Sequence, residues 1–155
     1  MKTVLLTNGQ QRKSLAVARS LGKRGIKVIT SEETRMNPTG FSKYCYKSLI
    51  YPNPRVYPEK FYNWLCETIK KYKCDVLFPM DDDTLDIVME NLEDLKKLCS
   101  VPVPSLESYN IVSDKGNSTR LAQEVGVPCP NTIYINDLNE LQNVDKELSF
   151  PIVIK

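Results

Sequence analysis

A cluster of carboxylates follows one of the apolar runs of the sequence. Asp81, Asp82 and Asp83 come shortly after residues 76–78, which have the composition of a buried strand. Ligands of open α/β sheets gather at the carboxyl ends of the strands, where carboxylates would hold a magnesium ion or an amine. A structural role is favoured, in which Asp83 caps the next helix and Asp86 reaches back to it. The remaining charges would then stabilise the helix N-terminus.

A second candidate is the turn Thr7-Asn8-Gly9-Gln10-Gln11-Arg12, between an apolar run and a helical pattern. It has neither the three-glycine fingerprint of a dinucleotide site nor the Gly-Lys-Ser/Thr of a phosphate-binding loop. One glycine still permits a tight turn that leaves helix N-terminal amides exposed to an anion. A simple turn is the favoured interpretation, because a single glycine carries little information.

Two lysines are the third candidate. Lys115 falls in the first turn of a predicted helix, where a cation is unfavourable for the helix dipole, so a phosphate would explain it. Lys155 ends an apolar run that follows Pro151, and a cation at that place is a reasonable phosphate ligand. Each lysine alone is more often a solvated surface charge.

The composition excludes several other kinds of chemistry. The chain contains no histidine, so Ser-His-Asp and Cys-His catalysis are absent from it. Its five cysteines are irregularly spaced, which favours buried or incidental thiols over a disulfide framework or a zinc site. A net charge of +2 gives no indication of nucleic-acid or membrane-surface binding. With no apolar run of membrane-spanning length and a signal-like start of only a few residues, the chain is predicted to be cytoplasmic.

Strands and helices alternate along residues 1–105, which predicts an α/β domain with a mainly parallel, Rossmann-like sheet. The predicted strands are residues 4–6, 28–29, 46–51 and 76–78, with residues 101–104 as an edge strand or stiff connector. Helical patterns fall at residues 15–21, 61–72 and 85–98. In residues 106–155 the pattern predicts a helix at 113–125, a strand at 132–135, a helical face at 138–148 and a strand at 150–154. Because the sequence stops inside that last strand, truncation is expected.

The second part of the sequence resembles the opening of an ATP-grasp domain. The matching residues are Ser113-Asp114-Lys115, Thr119, Leu121-Ala122, Gly126-Val127-Pro128-x-Pro130 and Phe150-Pro151-Ile152-Val153-Ile154-Lys155. The first part resembles the pre-ATP-grasp domain of carbamoyl-phosphate synthase large chains, biotin carboxylase and D-alanine–D-alanine ligase. Residues 5–9 (Leu-Leu-Thr-Asn-Gly) and 75–79 (Asp-Val-Leu-Phe-Pro) are most similar to carbamoyl-phosphate-synthase-like ligases.

The resemblance implies a role for the parent enzyme and for particular residues. By the match, Lys115 and Lys155 would contact the phosphates of ATP. Asn8, Gly9, Asp81 and Asp82, which follow predicted strands, are the candidates for the substrate side. The parent would use ATP and Mg²⁺ to activate a small carboxylate as an acyl phosphate, which an amine or thiol then attacks. The metal ligands would lie beyond residue 155, so these residues alone are expected to be inactive. A homo-oligomer is an open possibility.

Two other classes remain as alternatives. A flavodoxin-like receiver or ligand-binding module would also place an acidic cluster after a strand, but it predicts one complete sheet and no converging lysines. A Rossmann domain that binds NAD or a nucleotide sugar would require a glycine fingerprint, which residues 7–12 do not contain.

Overall fold

The computed structural model describes residues 1–135, 137 and 151–153. The chain divides into two compact units, Met1–Val103 and Pro104–Lys155. Within the described residues no helix is both long enough and apolar enough to cross a membrane.

The first unit is built on a four-stranded sheet in which every pair of strands is parallel. Its strands are β1 (Thr3–Leu6), β2 (Lys27–Glu32), β3 (Cys45–Ile50) and β4 (Val76–Phe78), in the spatial order β3-β2-β1-β4. Both central strands are almost fully buried, as is typical of a parallel sheet, and in β2 this burial includes the polar residues Thr30, Ser31 and Glu32. The predicted α/β class with a parallel sheet is therefore confirmed.

Four helices accompany these strands: α1 (Arg12–Lys23), α2 (Pro58–Tyr72), α3 (Asp82–Glu90) and α4 (Leu92–Lys96). Pro58 begins α2, where its missing N–H costs nothing. The predicted single helix over residues 85–98 is wrong. It breaks at Asn91, whose side-chain amide donates 2.9 Å to the Ile87 carbonyl and so satisfies the end of α3.

The core of the first unit lies between the sheet and its helices. Leu5, Leu6 and Leu77 of the sheet and Phe61 and Leu65 of α2 are fully buried. At the β4 edge, Ser100 forms a one-residue parallel bridge with Val76. An edge strand or connector was expected at residues 101–104. The pairing residue is instead Ser100, and residues 101–104, with prolines at 102 and 104, form the connector.

The second unit contains two short helices among its described residues, α5 (Leu106–Ser113) and α6 (Lys115–Glu124). Helix α6 was predicted, but α5 was not, although Ser105 caps it by accepting from the Ser108 amide at 3.2 Å. The predicted strand at 132–135 is wrong, as is the described part (151–153) of the one at 150–154: these residues are in no strand. A strand needs a paired backbone, and the described residues supply none there. The predicted helical face at 138–148 and Lys155 lie outside the described residues.

Candidate functional site

The strand order creates a topological switch point. From β1 the chain continues to β2 and β3 on one side, and β4 then pairs with the opposite edge of β1. The loops that leave β1 and β4 therefore diverge at the carboxyl end of the sheet, which is where open α/β folds bind ligands. Asn8 and Gly9 follow β1, and Asp81 and Asp82 follow β4.

Asn8 and Asp81 meet across this switch point. The Asn8 side-chain amide donates to an oxygen of the Asp81 carboxylate. Asn8 has a positive φ of 45°, a conformation that asparagine tolerates better than most residues. Behind the pair, the Thr7 and Thr84 hydroxyls are 2.9 Å apart and buried, and Thr7 Oγ1 accepts from the Met80 amide at 2.9 Å. The two loops are therefore joined by side chains as well as by the sheet.

The aspartates have different roles from those predicted. Asp81, and not Asp83, caps α3, because its carboxylate accepts from the Thr84 backbone amide and from the Thr84 hydroxyl. Asp83 instead forms an ion pair with Arg55, with 2.6 Å between Nε and Oδ2. The hydrogen bond to Asp83 raises the pKa of the Arg55 guanidinium. Asp82 lies in the first turn of α3 with its side chain exposed, so its carboxylate faces solvent.

The turn after β1 is closed by the chain's own groups. The Gly9 amide donates 2.9 Å to the Ser31 carbonyl. A Cβ at Gly9 would lie 2.4 Å from Asn37 Oδ1 and 2.8 Å from Thr30 Oγ1, so only glycine fits. The next amide, that of Gln10, donates 2.9 Å to a carboxylate oxygen of Glu32. Glu32, a buried residue at the end of β2, thus occupies the amide that a bound anion would use, and the turn has the structural role that the sequence favoured.

The carboxyl end of the sheet is acidic. Burial raises the pKa of the Tyr51 phenol above its ordinary range, and the nearby Glu32 and Asp81 carboxylates raise it further. Glu33 accepts from the Asn53 side chain at 2.8 Å, which ties the loop after β3 to the end of β2. Among the described residues, no group of three His, Cys, Asp or Glu side chains is arranged to hold a metal ion. Such a surface suits a cationic or hydrogen-bond-donating ligand.

Glu32 and Arg55 were not identified from the sequence. Glu32 had a detectable signal, since an acidic residue at the end of a buried parallel strand lies at the ligand-binding edge of the sheet. The sequence contained no such signal for Arg55, because its position in a loop does not indicate that it pairs with Asp83, 28 residues later.

The predicted phosphate ligand Lys115 is the first residue of α6. Asp114 caps this helix by accepting 2.6 Å from the Asn117 amide, and the Lys115 side chain is exposed. No salt bridge to Lys115 is present in the part of the chain that the structure describes. Lys155 is outside those residues, so convergence of the two lysines stays a prediction.

No protein-family model matches the chain. It is 27% identical over 154 residues to the formate-dependent phosphoribosylglycinamide formyltransferase of Prochlorococcus marinus, covering 98% of this chain and 36% of that protein. The chain thus spans about a third of the length of this curated relative.

Solved structures with the same fold include an L-amino acid ligase from Bacillus licheniformis, with a TM-score of 0.71, 16% identity, and coverage of 97% of this chain and 35% of that one. Another is an N5-carboxyaminoimidazole synthetase from Staphylococcus aureus complexed with ADP, with a TM-score of 0.69, 18% identity, and coverage of 95% of this chain and 35% of that one. These proteins are ATP-grasp enzymes. The chain has the fold of part of an ATP-grasp enzyme, and the predicted resemblance is confirmed at that level.

Proposed function

We propose that this chain is the N-terminal part of an ATP-dependent ligase that joins a carboxylate to an amine or thiol through an acyl phosphate. Residues 1–105 would be the pre-ATP-grasp domain and residues 106–155 the start of the ATP-grasp domain. The observation that carries the proposal is the position of Asp114-Lys115 at the start of α6, in a chain whose fold is shared with an ADP-bound synthetase.

The nucleotide side rests on Lys115 and Lys155. An ammonium group in the first turn of α6 opposes the helix dipole, and Asp114 already caps that end. A phosphate would compensate the exposed cation and would also accept from N-terminal amides of the helix. ATP, when bound, supplies the phosphoryl group that activates the carboxylate. The contribution of the lysines is to hold and neutralise the phosphates, while the Mg²⁺ ligands are proposed to lie beyond residue 155.

The substrate side rests on Asn8, Gly9, Asp81 and Asp82. Gly9 lets the loop after β1 approach Asn37 closely, and the Asn8–Asp81 hydrogen bond fixes both loop ends. Asp82 adds an exposed carboxylate beside them. An amino group on a small substrate would be bound by the carboxylates of Asp81 and Asp82. The side-chain amide of Asn8 could in addition donate to or accept from a polar group of the substrate.

Narrower assignments remain proposals. The carbamoyl-phosphate-synthase-like character rests on residues 5–9 and 75–79 alone, whereas the relatives reported above have other activities. The cytoplasmic location, the small-molecule partners, a homo-oligomeric state and the inactivity of residues 1–155 by themselves are likewise proposed. A dinucleotide-binding Rossmann domain is the weaker alternative, since Glu32 occupies the amide at which a pyrophosphate would bind.

The lysine assignment is tested in the full-length parent with Lys115→Ala and Lys155→Ala. Removing a cation leaves phosphate charge unpaired in a partly desolvated cleft, a loss on the order of 2 to 5 kcal/mol. Each variant should therefore weaken ATP binding or slow acyl-phosphate formation by at least about tenfold. Lys115→Arg should retain part of the function, because it keeps the charge and changes only the donor geometry.

The matched control is Lys97→Ala, since Lys97 is an exposed lysine whose Nζ lies 2.7 Å from Asp94. It should leave nucleotide binding unchanged. Nucleotide titration and single-turnover assays measure the effects, and thermal melts show that each variant is folded. Folded Lys115→Ala and Lys155→Ala proteins that bind and turn over ATP like the wild type would disprove the assignment.

A further inference from the structure

Strand β3 is an edge of the sheet, and it differs from the other strands in exposure. It pairs with β2 alone, so no strand of the described residues covers its other side. Tyr46 and Ile50 are 60% and 53% exposed, although they lie in a strand of a folded sheet. An uncovered edge presents unpaired N–H and C=O groups that bind extended chains by strand addition.

Two shallow depressions flank this edge, one near each end of β3. A depression of about 380 Å³ at the start of the strand is lined by Tyr44, Tyr46 and the last turn of α1. Another, of about 240 Å³, lies at the end of β3, where Leu49 and Ile50 meet Trp64 and Tyr72 of α2. Depressions beside an edge strand are where alternate side chains of an added strand are bound. Neither contains a residue of the switch-point site.

The same edge is rich in lysines that lie over tyrosine rings. Lys27 is 4.4 Å from the ring centre of Tyr46, and Lys43 is 5.3 Å from that of Tyr44. Lys47 and Lys71 approach one ring, that of Tyr72, at 5.2 and 5.7 Å. Glu67 is the carboxylate that lines the second depression. Lys27, Lys43 and Lys71 line the two depressions against this one carboxylate, so the surface beside β3 is locally basic although the chain's net charge is only +2.

A single lysine on an edge strand usually serves to prevent association. Here the lysines lie beside both depressions, and two of them, Lys47 and Lys71, approach one aromatic ring, which concentrates positive charge near the second depression. A second copy of the chain would bring the same lysines to the edge, so self-pairing is opposed by charge repulsion. An acidic strand has no such penalty.

We propose that the β3 edge binds an extended acidic peptide segment of a partner protein, which adds to the sheet as a strand beside Cys45–Ile50. Backbone hydrogen bonds to β3 provide the affinity for an extended chain. Carboxylates of the segment pair with Lys27, Lys43, Lys47 and Lys71, and its apolar side chains enter the two depressions. This surface is separate from the proposed ligase site and does not depend on it.

The probe is a fluorescein-labelled peptide of about eight residues that alternates Glu and Val, which is a typical strand length and pattern. Fluorescence anisotropy with the 155-residue chain should show binding that weakens with salt. The double variant Lys47→Glu/Lys71→Glu should weaken it by at least about tenfold, because two attractive contacts become repulsive. Lys97→Glu, at an exposed lysine outside the edge, should bind the peptide like the wild type. Amides of residues 45–50 should gain protection from hydrogen exchange when the peptide is added.

Several results would overturn the proposal. One is the absence of binding, and another is equal binding of the same peptide with prolines at alternate positions, which cannot form a strand ladder. Equal losses in Lys97→Glu and in the edge variant would show general charge attraction only. Tighter binding of a single-stranded oligonucleotide, or a peptide-independent dimer that the edge variant abolishes, would identify a different partner. Thermal melts show whether the double variant is folded. If it is unstable, the hydrogen-exchange measurement still tests the proposal, because it uses the wild-type chain.

Discussion

The helices of the two units differ in how much of their apolar surface is buried. In the first unit, α2 and α3 each bury several apolar residues, with Phe61 and Leu65 fully buried. In the second unit, neither α5 nor α6 contains a buried residue, and Leu121 is 41% exposed. All the buried apolar residues of the described parts of the chain belong to the first unit. A helix therefore forms in both units, but among the described residues apolar side chains are fully buried only where the parallel sheet provides a layer for the helices to pack on.

This contrast has consequences for stability. Helices α5 and α6 have 8 and 10 residues, and isolated helices of that length are marginal in water. The parallel sheet of the first unit supplies a layer on which its helices pack. We therefore expect the main cooperative unfolding transition to report on the first unit. Substitutions in the second unit should hardly change the free energy of unfolding measured in that transition.

The largest difference in stability between the two units should come from shortening an apolar side chain in each. Phe61 is fully buried, and its ring centre lies 5.0 Å from that of Tyr51 and 6.1 Å from that of Trp64. Phe61→Ala should lower the free energy of unfolding by about 3–5 kcal/mol, through lost burial and a cavity. Urea denaturation followed by the fluorescence of Trp64 measures it. The matched change in the second unit, Leu121→Ala, should cost less than about 0.5 kcal/mol in the same transition. Equal losses would show that both units share one core.

A smaller difference in stability is expected when one glycine of each unit, Gly9 or Gly126, is replaced by alanine. In Gly9→Ala the new methyl group would lie 2.4 Å from Asn37 Oδ1, so the loop must shift at a cost of about 1–3 kcal/mol. Gly126 has a φ of +78° and open space around it, so Gly126→Ala strains only its own backbone. Its effect on the main transition should be close to zero, with a local loss of helix visible by circular dichroism. A Gly9→Ala protein with wild-type stability would show that the loop after β1 is adaptable.

The two N-terminal aspartate caps offer a third comparison. Asp81 accepts from Thr84 at the start of α3, and Asp114 accepts from Asn117 at the start of α6. Asp81→Ala should destabilise the main transition by about 1 kcal/mol, which is typical for a lost cap. Asp114→Ala should instead reduce the helical signal before that transition begins. Chemical denaturation monitored by fluorescence and by circular dichroism separates the two effects, and identical responses would contradict the independence of the units.

Sequence reasoning predicted the regular part of the fold well because apolar runs and helical spacing are local signals. The four parallel strands and helices α1, α2 and α6 follow from them. The break at Asn91 does not, because the apolar spacing continues through it and only the local hydrogen bond of the Asn91 side chain to the Ile87 carbonyl ends α3. The absence of a strand at 132–135 does not either, since a strand depends on a paired neighbour that a local pattern does not specify. Helix α5 was missed because its apolar residues have weak periodicity and none of them is buried.

The candidate site was predicted only in outline. Placing Asn8 and Asp81 at the same end of the sheet follows from the order of strands and helices. Which aspartate caps α3 could not be predicted, because three consecutive aspartates are equivalent in sequence. In the structure Asp81 has the extended backbone of a cap residue, and Asp82 is the first residue of the helix. Glu32 needed the parallel register of β1 and β2, which brings its carboxylate to the Gln10 amide.

The smallest expected effect is a pH dependence that belongs to the first unit. Burial raises the pKa of the Cys74 and Cys99 thiols to about 11, against an ordinary value of 9.0. Because the folded pKa lies above the unfolded one, their contribution to stability is complete well below pH 9, begins to fall as the pH approaches 9 and is lost as the pH rises through about 11. Between pH 8 and pH 9 the loss should stay below about 1 kcal/mol. Urea titrations across this range should give a negative slope that is smaller in Cys74→Ala/Cys99→Ala, even though that variant is less stable throughout. Cys129→Ala, in the second unit, should leave the slope unchanged, whereas an unchanged slope in the double variant would mean that other groups cause it.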